Sequence, residues 1–335
     1  MLSSTEFKTV IDVVLRFPNE KSCHQYLASR RWADGVMSCP HEGCDGHSAD
    51  VFKDGIRYKC KTCRKIYTAK TGTMMEASKI ATLKWFMAIY LTLHKKGISS
   101  IQLGKDIGVT QKTAWFILQR LRAVFGNEID VPLEGTIASD ETFVGGKNKN
   151  RHKDKKVAHS QGRSFIDKTP VLGLLQTEVR HYVERDHKVI PGRTVKEKVI
   201  DKNARLKCWT IKDTKTATIQ PLIRANVVAG SIVVSDEWFA YKGLNDTYQH
   251  EVVDHGRKQY KNDAGYTSNA IECGWKHLKL TIQATHHWVS RKHQDKYVQE
   301  FTFRYNYRHL SAQKQIEQAI SNMAIRTKYK DLIAA

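Results

Sequence analysis

The sequence predicts an α/β domain with a mixed sheet, preceded by two small modules. Three observations lead to this prediction. Strand-like apolar runs alternate with helical patterns between residues 131 and 310, and four cysteines stand in two close pairs before residue 64. Two short helical patterns joined by a glycine lie between these regions. Strands followed by helices are typical of layered α/β domains, whereas paired cysteines are typical of small metal-stapled modules.

The charge balance narrows the class of partner. The 335 residues include 55 Lys and Arg against 34 Asp and Glu, a net charge of +21. Such an excess favours a polyanionic partner, most economically nucleic acid, although a merely basic ribosome-associated protein is an alternative. No apolar run approaches the roughly 20 residues of a membrane span, and no secretory signal is recognisable. We therefore expect a cytoplasmic protein without membrane contact, and the presence of seven cysteines in such a protein indicates metal binding instead of disulfides.

Residues 1–35 are predicted to form an N-terminal helical segment. Apolar side chains recur at helical spacing from Phe7 to Leu15, and a second helix is expected over residues 20–27. These helices are expected to serve packing.

Residues 36–75 are predicted to form a zinc ribbon. The spacings C-x4-C and C-x2-C, separated by 15 residues, place two thiolates on each of two tight turns: Cys39, Cys44, Cys60 and Cys63. Two such turns complete a tetrahedral Zn²⁺ site. His41 and His47 remain competing ligands. A site closed by four sulfurs has no open position, so one structural zinc ion is expected.

Residues 76–126 are predicted to contain a helix-turn-helix DNA-binding region. Ser99 or Ser100 caps a short helix, Gly108 makes the turn, and Thr110 caps a further helix. The outward side chains of that second helix are predicted to be Gln111, Lys112, Trp115, Gln119 and Arg122. The first three lie where such a helix meets DNA. Helical hairpins are also common in proteins that do not bind DNA, so this alternative stays open.

Three acidic residues are the candidate site residues of the central region, residues 131–310. Asp140 and Asp236 each close a strand-like run, and Glu272 lies on a predicted helix. Between the first two lie 95 residues, and 35 separate the last two. The order of strands and helices suits a mixed sheet of ribonuclease-H type. A charged loop at 147–156 is either a solvated face or a DNA contact.

Three clustered carboxylates suit a site with two Mg²⁺ or Mn²⁺ ions, because these ions prefer oxygen ligands at nearly fixed distances. Asp140 is predicted to bridge the ions, with Asp236 and Glu272 each holding one. On the same helix face as Glu272, Lys276 and Lys279 are predicted to bind a DNA phosphate. The sequence therefore predicts phosphoryl transfer on DNA.

Four motifs resemble one family of enzymes. They are Ser139-Asp-Glu-Thr-Phe-Val-Gly-Gly-Lys147, Ser235-Asp-Glu-Trp-Phe-Ala-Tyr-Lys-Gly-Leu244, Ser268-Asn-Ala-Ile-Glu272 and Arg304-Tyr-Asn-Tyr-Arg308. Together with the zinc ribbon and helix-turn-helix, they are similar to the ISXO2-like transposases of the IS1595 insertion-sequence family. The resemblance implies a DDE transposase that cuts the ends of its own element and joins the 3′ hydroxyls to target DNA. It also implies a supporting role for Asn269 and a nucleoid-associated bacterial protein.

Two other functions keep the same sequence features. A catalytically inert DNA-binding regulator would use only the ribbon and the helix-turn-helix, and a nuclease would cut without joining. Paired cuts need two active sites, so we expect a homodimer or larger complex on double-stranded DNA. The roles of His286, His287 and His293 stay undecided among contact with DNA or the active site, metal binding and a hydrogen-bonded surface. Residues 311–335 are expected to form a C-terminal helix.

Overall fold

The structure is a computed structural model. It describes residues 7–94, 96–127, 131–145, 152–156, 158, 168–187, 189–190, 192–254 and 261–334. The charged loop predicted at 147–156 lies largely outside these residues. The chain divides into two compact units, here called the first unit (residues 1–129 and 299–335) and the second unit (130–298).

The helices are α1 (Val10–Arg16), α2 (Glu20–Arg31), α3 (Thr82–Thr92), α4 (Ser100–Ile107), α5 (Gln111–Phe125), α6 (Thr216–Asn226), α7 (Asn269–Thr281), α8 (Arg291–Tyr307), α9 (Ala312–Ser321) and α10 (Tyr329–Ile333). The strands are β1 (Ala49–Val51), β2 (Arg57–Cys60), β3 (Ile66–Thr68), β4 (Thr136–Gly145), β5 (Lys168–Gln176), β6 (Val179–Asp186), β7 (Thr194–Lys202), β8 (Arg205–Thr210), β9 (Ile232–Ser235) and β10 (Gln249–Val252). No helix in the described part of the chain is long and apolar enough to cross a membrane.

Strands β1 to β3 form a three-stranded antiparallel sheet in the first unit. Its buried face carries Tyr58 and Tyr67, whose rings stack at 5.7 Å. Trp32, which ends α2, packs edge-on against both rings. These aromatic contacts attach the small sheet to the N-terminal helices, since the strands themselves are only three or four residues long.

Helices α4 and α5 are joined by a tight turn, and both begin at the predicted caps. The hydroxyl of Ser99 accepts from the backbone N–H of Gln102, and that of Thr110 accepts from Thr113. Gly108 ends α4 in the left-handed region, with φ +62°, which an L side chain adopts only with strain. The turn therefore depends on this glycine.

The prediction that Gln119 and Arg122 point outward is wrong. Both are buried in the core of the first unit, and Arg122 Nε donates to Glu300 Oε2 over 2.7 Å. The α5 helix is covered on more than one side, since Phe125 near its end stacks on Phe303 with ring centroids 4.5 Å apart. An amphipathic pattern cannot reveal this, because the ion partner and the stacking ring lie far away in the sequence.

The second unit contains a five-stranded mixed sheet in the order β10-β9-β4-β5-β8. β4 is parallel to β9 and antiparallel to β5, β5 is antiparallel to β8, and β9 is parallel to β10. Strands β6 and β7, inserted between β5 and β8, form a separate two-stranded hairpin whose residues are almost all exposed.

Helices α6 and α7 cover opposite faces of this sheet. Leu172 and Leu174 of β5 share a buried cluster with Ile219 and Ile223 of α6. Gly173 between those leucines points to the other face, where it meets Trp275 of α7. Successive residues of a strand face opposite sides, so α6 and α7 sandwich the central strands.

Candidate active site

The four predicted zinc ligands converge in the structure. Cys39 Sγ lies 3.7 Å from Cys63 Sγ, and Cys44 Sγ lies 3.7 Å from Cys60 Sγ. A tetrahedral ion with Zn–S bonds of about 2.3 Å has sulfur–sulfur edges of about 3.8 Å, so these thiols fit zinc. Among the described residues, they are the one group of three or more possible ligands within 4.8 Å of one another.

The two competing histidines do not join this group. His41 Nε2 lies 3.4 Å from the Ile66 carbonyl oxygen, and His47 Nδ1 lies 3.3 Å from Ser38 Oγ. The cysteines alone therefore account for a closed, structural site.

Asp140 lies within β4, and Asp236 directly follows the last residue of the neighbouring parallel strand β9. The pairing of β4 with β9 ends with Ala138 opposite Val234. Asp140 and Asp236 each lie two residues after this pair. Neighbouring strands are about 4.8 Å apart, so the two aspartates are neighbours at the C-terminal end of β9. The backbone N–H of Trp238 donates to Asp236 Oδ1 over 3.1 Å and fixes that side chain.

Glu272 lies in the first turn of α7. The buried hydroxyl of Ser268 donates to Glu272 Oε1 over 2.7 Å. Lys276 and Lys279 follow on the same helix and are exposed, as is Asn269 at the start of the helix. Partial desolvation of its side chain lowers the pKa of Lys279, and the nearby charge of Asp140 opposes this shift.

Trp275, also on α7, is a hydrogen-bond partner of Asp140. Its indole Nε1–H donates to Asp140 Oδ2 over 2.9 Å, and its ring is buried. Gly173 is the cross-strand partner of Asp140 and makes this placement possible. A Cβ atom at residue 173 would lie 2.3 Å from the Trp275 ring, well inside van der Waals contact.

The Asp140 carboxyl sits in a negative field. Burial raises its pKa to about 6, and the charges of Asp236 and Glu272 act in the same direction. The carboxylates of the described residues do not form a group of three within 4.8 Å, in contrast to the cysteines. Mutual repulsion opposes closer approach, and divalent cations would relieve it. The donor set and its field therefore suit hard divalent ions.

This field predicts that the stability of the protein depends on pH. The pKa of Asp140 is 3.8 in the unfolded chain and about 6 in the folded one. The folded state thus binds the proton more tightly, and this stabilisation is complete below about pH 4 and lost as the pH rises through about 6. The free energy of unfolding is measured in urea without Mg²⁺ or Mn²⁺. As the pH rises from 5 to 7.5, the value for Asp140→Asn should increase by about 1 kcal/mol relative to that of wild type. A stability difference that is the same at both pH values would contradict this prediction.

An open cleft of about 620 Å³ lies over these groups, and Asp140, Glu272, Trp275, Lys276 and Lys279 line it. Glu141, next to Asp140, also reaches its rim but bonds on the other side of the sheet. There the hydroxyl of the buried Tyr241 donates to Glu141 Oε1 over 2.7 Å. The strand alternation thus separates Glu141 from Asp140.

Of the predicted site residues, Asp140, Glu272, Lys276 and Lys279 line one cleft, and the charge of Asp236 acts on Asp140. Sequence reasoning missed Trp275 and Gly173. The tryptophan lies three residues after Glu272, and residues with this spacing are neighbours on a helix surface. This spacing could have indicated that Trp275 lies near the predicted site.

Comparison with known proteins gives the family. A family model described as the ISXO2-like transposase domain matches residues 132–306, more than half of the chain. The chain belongs to the ISXO2-like (IS1595) transposase family. A transposase zinc-ribbon domain also matches residues 18–66, which include the predicted ribbon cysteines.

One relative comes from a mobile element. It is an uncharacterized protein in transposable element ISH50 of Halobacterium salinarum, 30% identical over 262 residues that cover 73% of this chain and 78% of the relative. No solved structure matches. The family match confirms the predicted transposase family. The zinc-ribbon match and the four clustered cysteines confirm the predicted ribbon.

The close contact between Gly173 and Trp275 leads to a further prediction. Gly173→Ala should destabilise the protein by about 1–3 kcal/mol, because the added methyl group overpacks a buried ring. The displaced indole should also lose its hydrogen bond to Asp140. Urea unfolding followed by tryptophan fluorescence measures the first effect.

Gly274, the residue before Trp275, supplies the matched control. A Cβ atom there meets nothing within 4 Å, and the residue is helical. Gly274→Ala should therefore stabilise the protein by up to about 1 kcal/mol. If both substitutions changed stability in the same direction, the proposed contact would not be the cause.

Proposed function

We propose that this chain is a DDE transposase that cuts the ends of its own insertion sequence and joins the 3′ hydroxyls to target DNA. The observation that carries the proposal is the negative field at Asp140, produced by Asp236 and Glu272 at one edge of the sheet. A carboxyl group with a raised pKa in an open cleft is typical of catalytic sites. Membership of a transposase family supplies the class of substrate.

The fold proposed for the second unit is of ribonuclease-H type. Numbered along the chain, the sheet order β10-β9-β4-β5-β8 becomes 5-4-1-2-3, with the second strand antiparallel to the others. This order supports the assignment, because it puts the first and fourth strands side by side in the centre. Asp140 lies on the first of these strands, and Asp236 directly follows the fourth.

The proposed chemistry uses two divalent cations, Mg²⁺ or Mn²⁺. When bound, such a pair stabilises the attacking and leaving oxygens of an in-line displacement at phosphorus. Asp140, Asp236 and Glu272 would hold these ions. Ser268 orients the Glu272 carboxylate by its 2.7 Å hydrogen bond.

Two basic side chains of α7 would position the DNA. Lys279 lies within the electrostatic reach of Asp140, and both Lys276 and Lys279 line the same cleft. An ammonium group acts there as a point charge for a phosphate next to the scissile bond. We propose a smaller, supporting role for Asn269, which opens the same helix.

DNA recognition is proposed for the first unit. Gln111 and Lys112 are exposed at the N-terminal end of α5, and Trp115 is half-buried one turn later. Gln111 Nε2 donates to Ser100 Oγ over 2.9 Å, which ties the two helices of the proposed helix-turn-helix together. Because an element has two ends, we also propose a homodimer or larger complex on double-stranded DNA.

The decisive experiment incubates the purified protein with DNA that carries the two ends flanking its own gene, with Mg²⁺ or Mn²⁺. Product strands are resolved separately for cleavage and for joining to a target. We expect metal-dependent cuts at the ends and joined product. Cutting without joining would favour a nuclease, and specific binding without any cutting would favour a DNA-binding regulator.

A further inference from the structure

A second cavity opens next to the acidic cleft. It measures about 210 Å³ and is lined by Phe143, Val144, Lys168, Lys279, His287 and Trp288, among others. It shares Lys279 and Gln283 with the cleft over Asp140. Small-molecule sites usually measure about 300–1,000 Å³, so this cavity suits a single planar ring system.

The chain adopts an uncommon conformation to present Trp288 at this cavity. α7 runs directly into a π-helical turn over Ile282–His286, and His287 follows with φ +59° and ψ −49°. A positive φ is uncommon for a residue other than glycine, and π turns and backbone strain both concentrate at functional sites. The Trp288 side chain is nevertheless 68% exposed. A large aromatic ring is thus held in solvent at the rim.

We propose that this cavity binds an unstacked base of the DNA strand that is cut, with the Trp288 ring stacked on the face of the base. The proposal rests on the proposed function, since it requires DNA in the neighbouring cleft. Enzymes that work on duplex DNA can extrude a base and stack it between aromatic or apolar side chains.

The chemistry of the lining fits a nucleotide. Phe143, Val144 and Ile282 supply apolar surface for the face of a base, and Gln283 brings an amide to the rim. Lys168 and Lys279 bring two positive charges to the same cavity, and the charge of Lys168 acts on Lys279. A backbone phosphate between the two ammonium groups would relieve their repulsion.

The shared lining fixes which base is involved. Lys279 lies both in the cavity and in the cleft over Asp140. A strand whose phosphate contacts Lys279 therefore carries its neighbouring base to the mouth of the cavity. The base that enters should belong to a nucleotide next to the scissile bond.

The test uses the full-length protein and duplexes of its own element end. In a series of duplexes, 2-aminopurine replaces one base at a time around the cut site, and fluorescence is read on binding without Mg²⁺. We expect a change at one position next to the cut, lost in Trp288→Ala and kept in Trp288→Phe. Tyr182→Ala, which removes an exposed aromatic ring from the β6–β7 hairpin, should behave as wild type.

Cleavage rates with Mg²⁺ supply the second readout. Trp288→Ala should slow cleavage about tenfold or more, the loss expected for one base–aromatic stack. An abasic nucleotide at the responsive position should restore the rate, because no base then needs to be unstacked. Trp288→Ala that cuts like wild type, or a loss that no abasic position restores, overturns the proposal.

The two proposals fail in different ways. Wild-type protein that binds its ends with a position-specific fluorescence change but never cuts contradicts the transposase activity and supports the base pocket. Wild-type protein that cuts and joins without any position-specific change contradicts the pocket alone.

Discussion

Asp140→Asn is expected to lower the rate of DNA cleavage and joining by at least about a thousandfold, equivalent to ~4 kcal/mol of transition-state stabilisation. The amide has nearly the same shape but lacks the charge that would hold the proposed divalent cations. Asp140 faces two other acids, and Trp275 donates to it over 2.9 Å. Cleavage and joining on element-end DNA are the measured quantities, and end binding should be retained.

A pair of neighbouring substitutions provides the control. Asp236→Asn should cause a loss of the same order, because Asp236 directly follows β9 and its charge acts on Asp140. Glu237→Gln changes the next residue, which is exposed, and should keep most of the activity. If Asp236→Asn and Glu237→Gln lowered the rates of cleavage and joining equally, the activity would depend on the total negative charge of this segment. Asp236 would then not act as a specific metal ligand. Normal cleavage by Asp140→Asn would remove the basis of the proposed mechanism.

Loss of the ribbon zinc is expected to unfold residues around the four cysteines. Binding of structural zinc contributes about 10–16 kcal/mol in isolated zinc-finger peptides, and there it is coupled to folding. The ribbon strands have three or four residues each and cannot hold a sheet alone. Cys60→Ser, or removal of zinc with a strong chelator, should therefore abolish binding to element ends. Zinc content, near-ultraviolet circular dichroism and limited proteolysis measure the change.

Cys273→Ser is the matched substitution for this experiment. Cys273 is exposed and lies outside the cysteine cluster. It should keep the zinc content and the unfolding temperature of wild type. Full zinc content and an unchanged unfolding temperature in Cys60→Ser would instead show that the sulfur of Cys60 does not bind the ion.

The sequence predicts those parts of the molecule that short-range patterns determine. The cysteine spacing identified the ribbon, and the caps Ser99 and Thr110 identified the starts of two helices, because each signal lies within a few residues of the structure that it specifies. The α/β character of residues 131–310 followed from apolar runs long enough to be strands.

The parts that the sequence did not predict depend on distant partners. Arg122 is buried because Glu300 neutralises it, and neither residue signals the other in the sequence. The contact of Gly173 with Trp275 joins a strand to a helix about a hundred residues later. The hairpin of β6 and β7 was also missed, because its exposed strands lack the buried face that produces a clear alternation.

The core of the first unit has a consequence for the order in which the chain folds on the ribosome. Phe303, Ile316 and Ile320 belong to the same buried cluster as Phe86 and Phe125, yet they are translated after the whole second unit. A contiguous unit can fold as soon as it has emerged, whereas a core with distant segments has to wait for the later one. A chain that ended just after residue 298 would thus contain the described strands of the second unit. Its first unit would lack the part of the core that residues 299–335 supply.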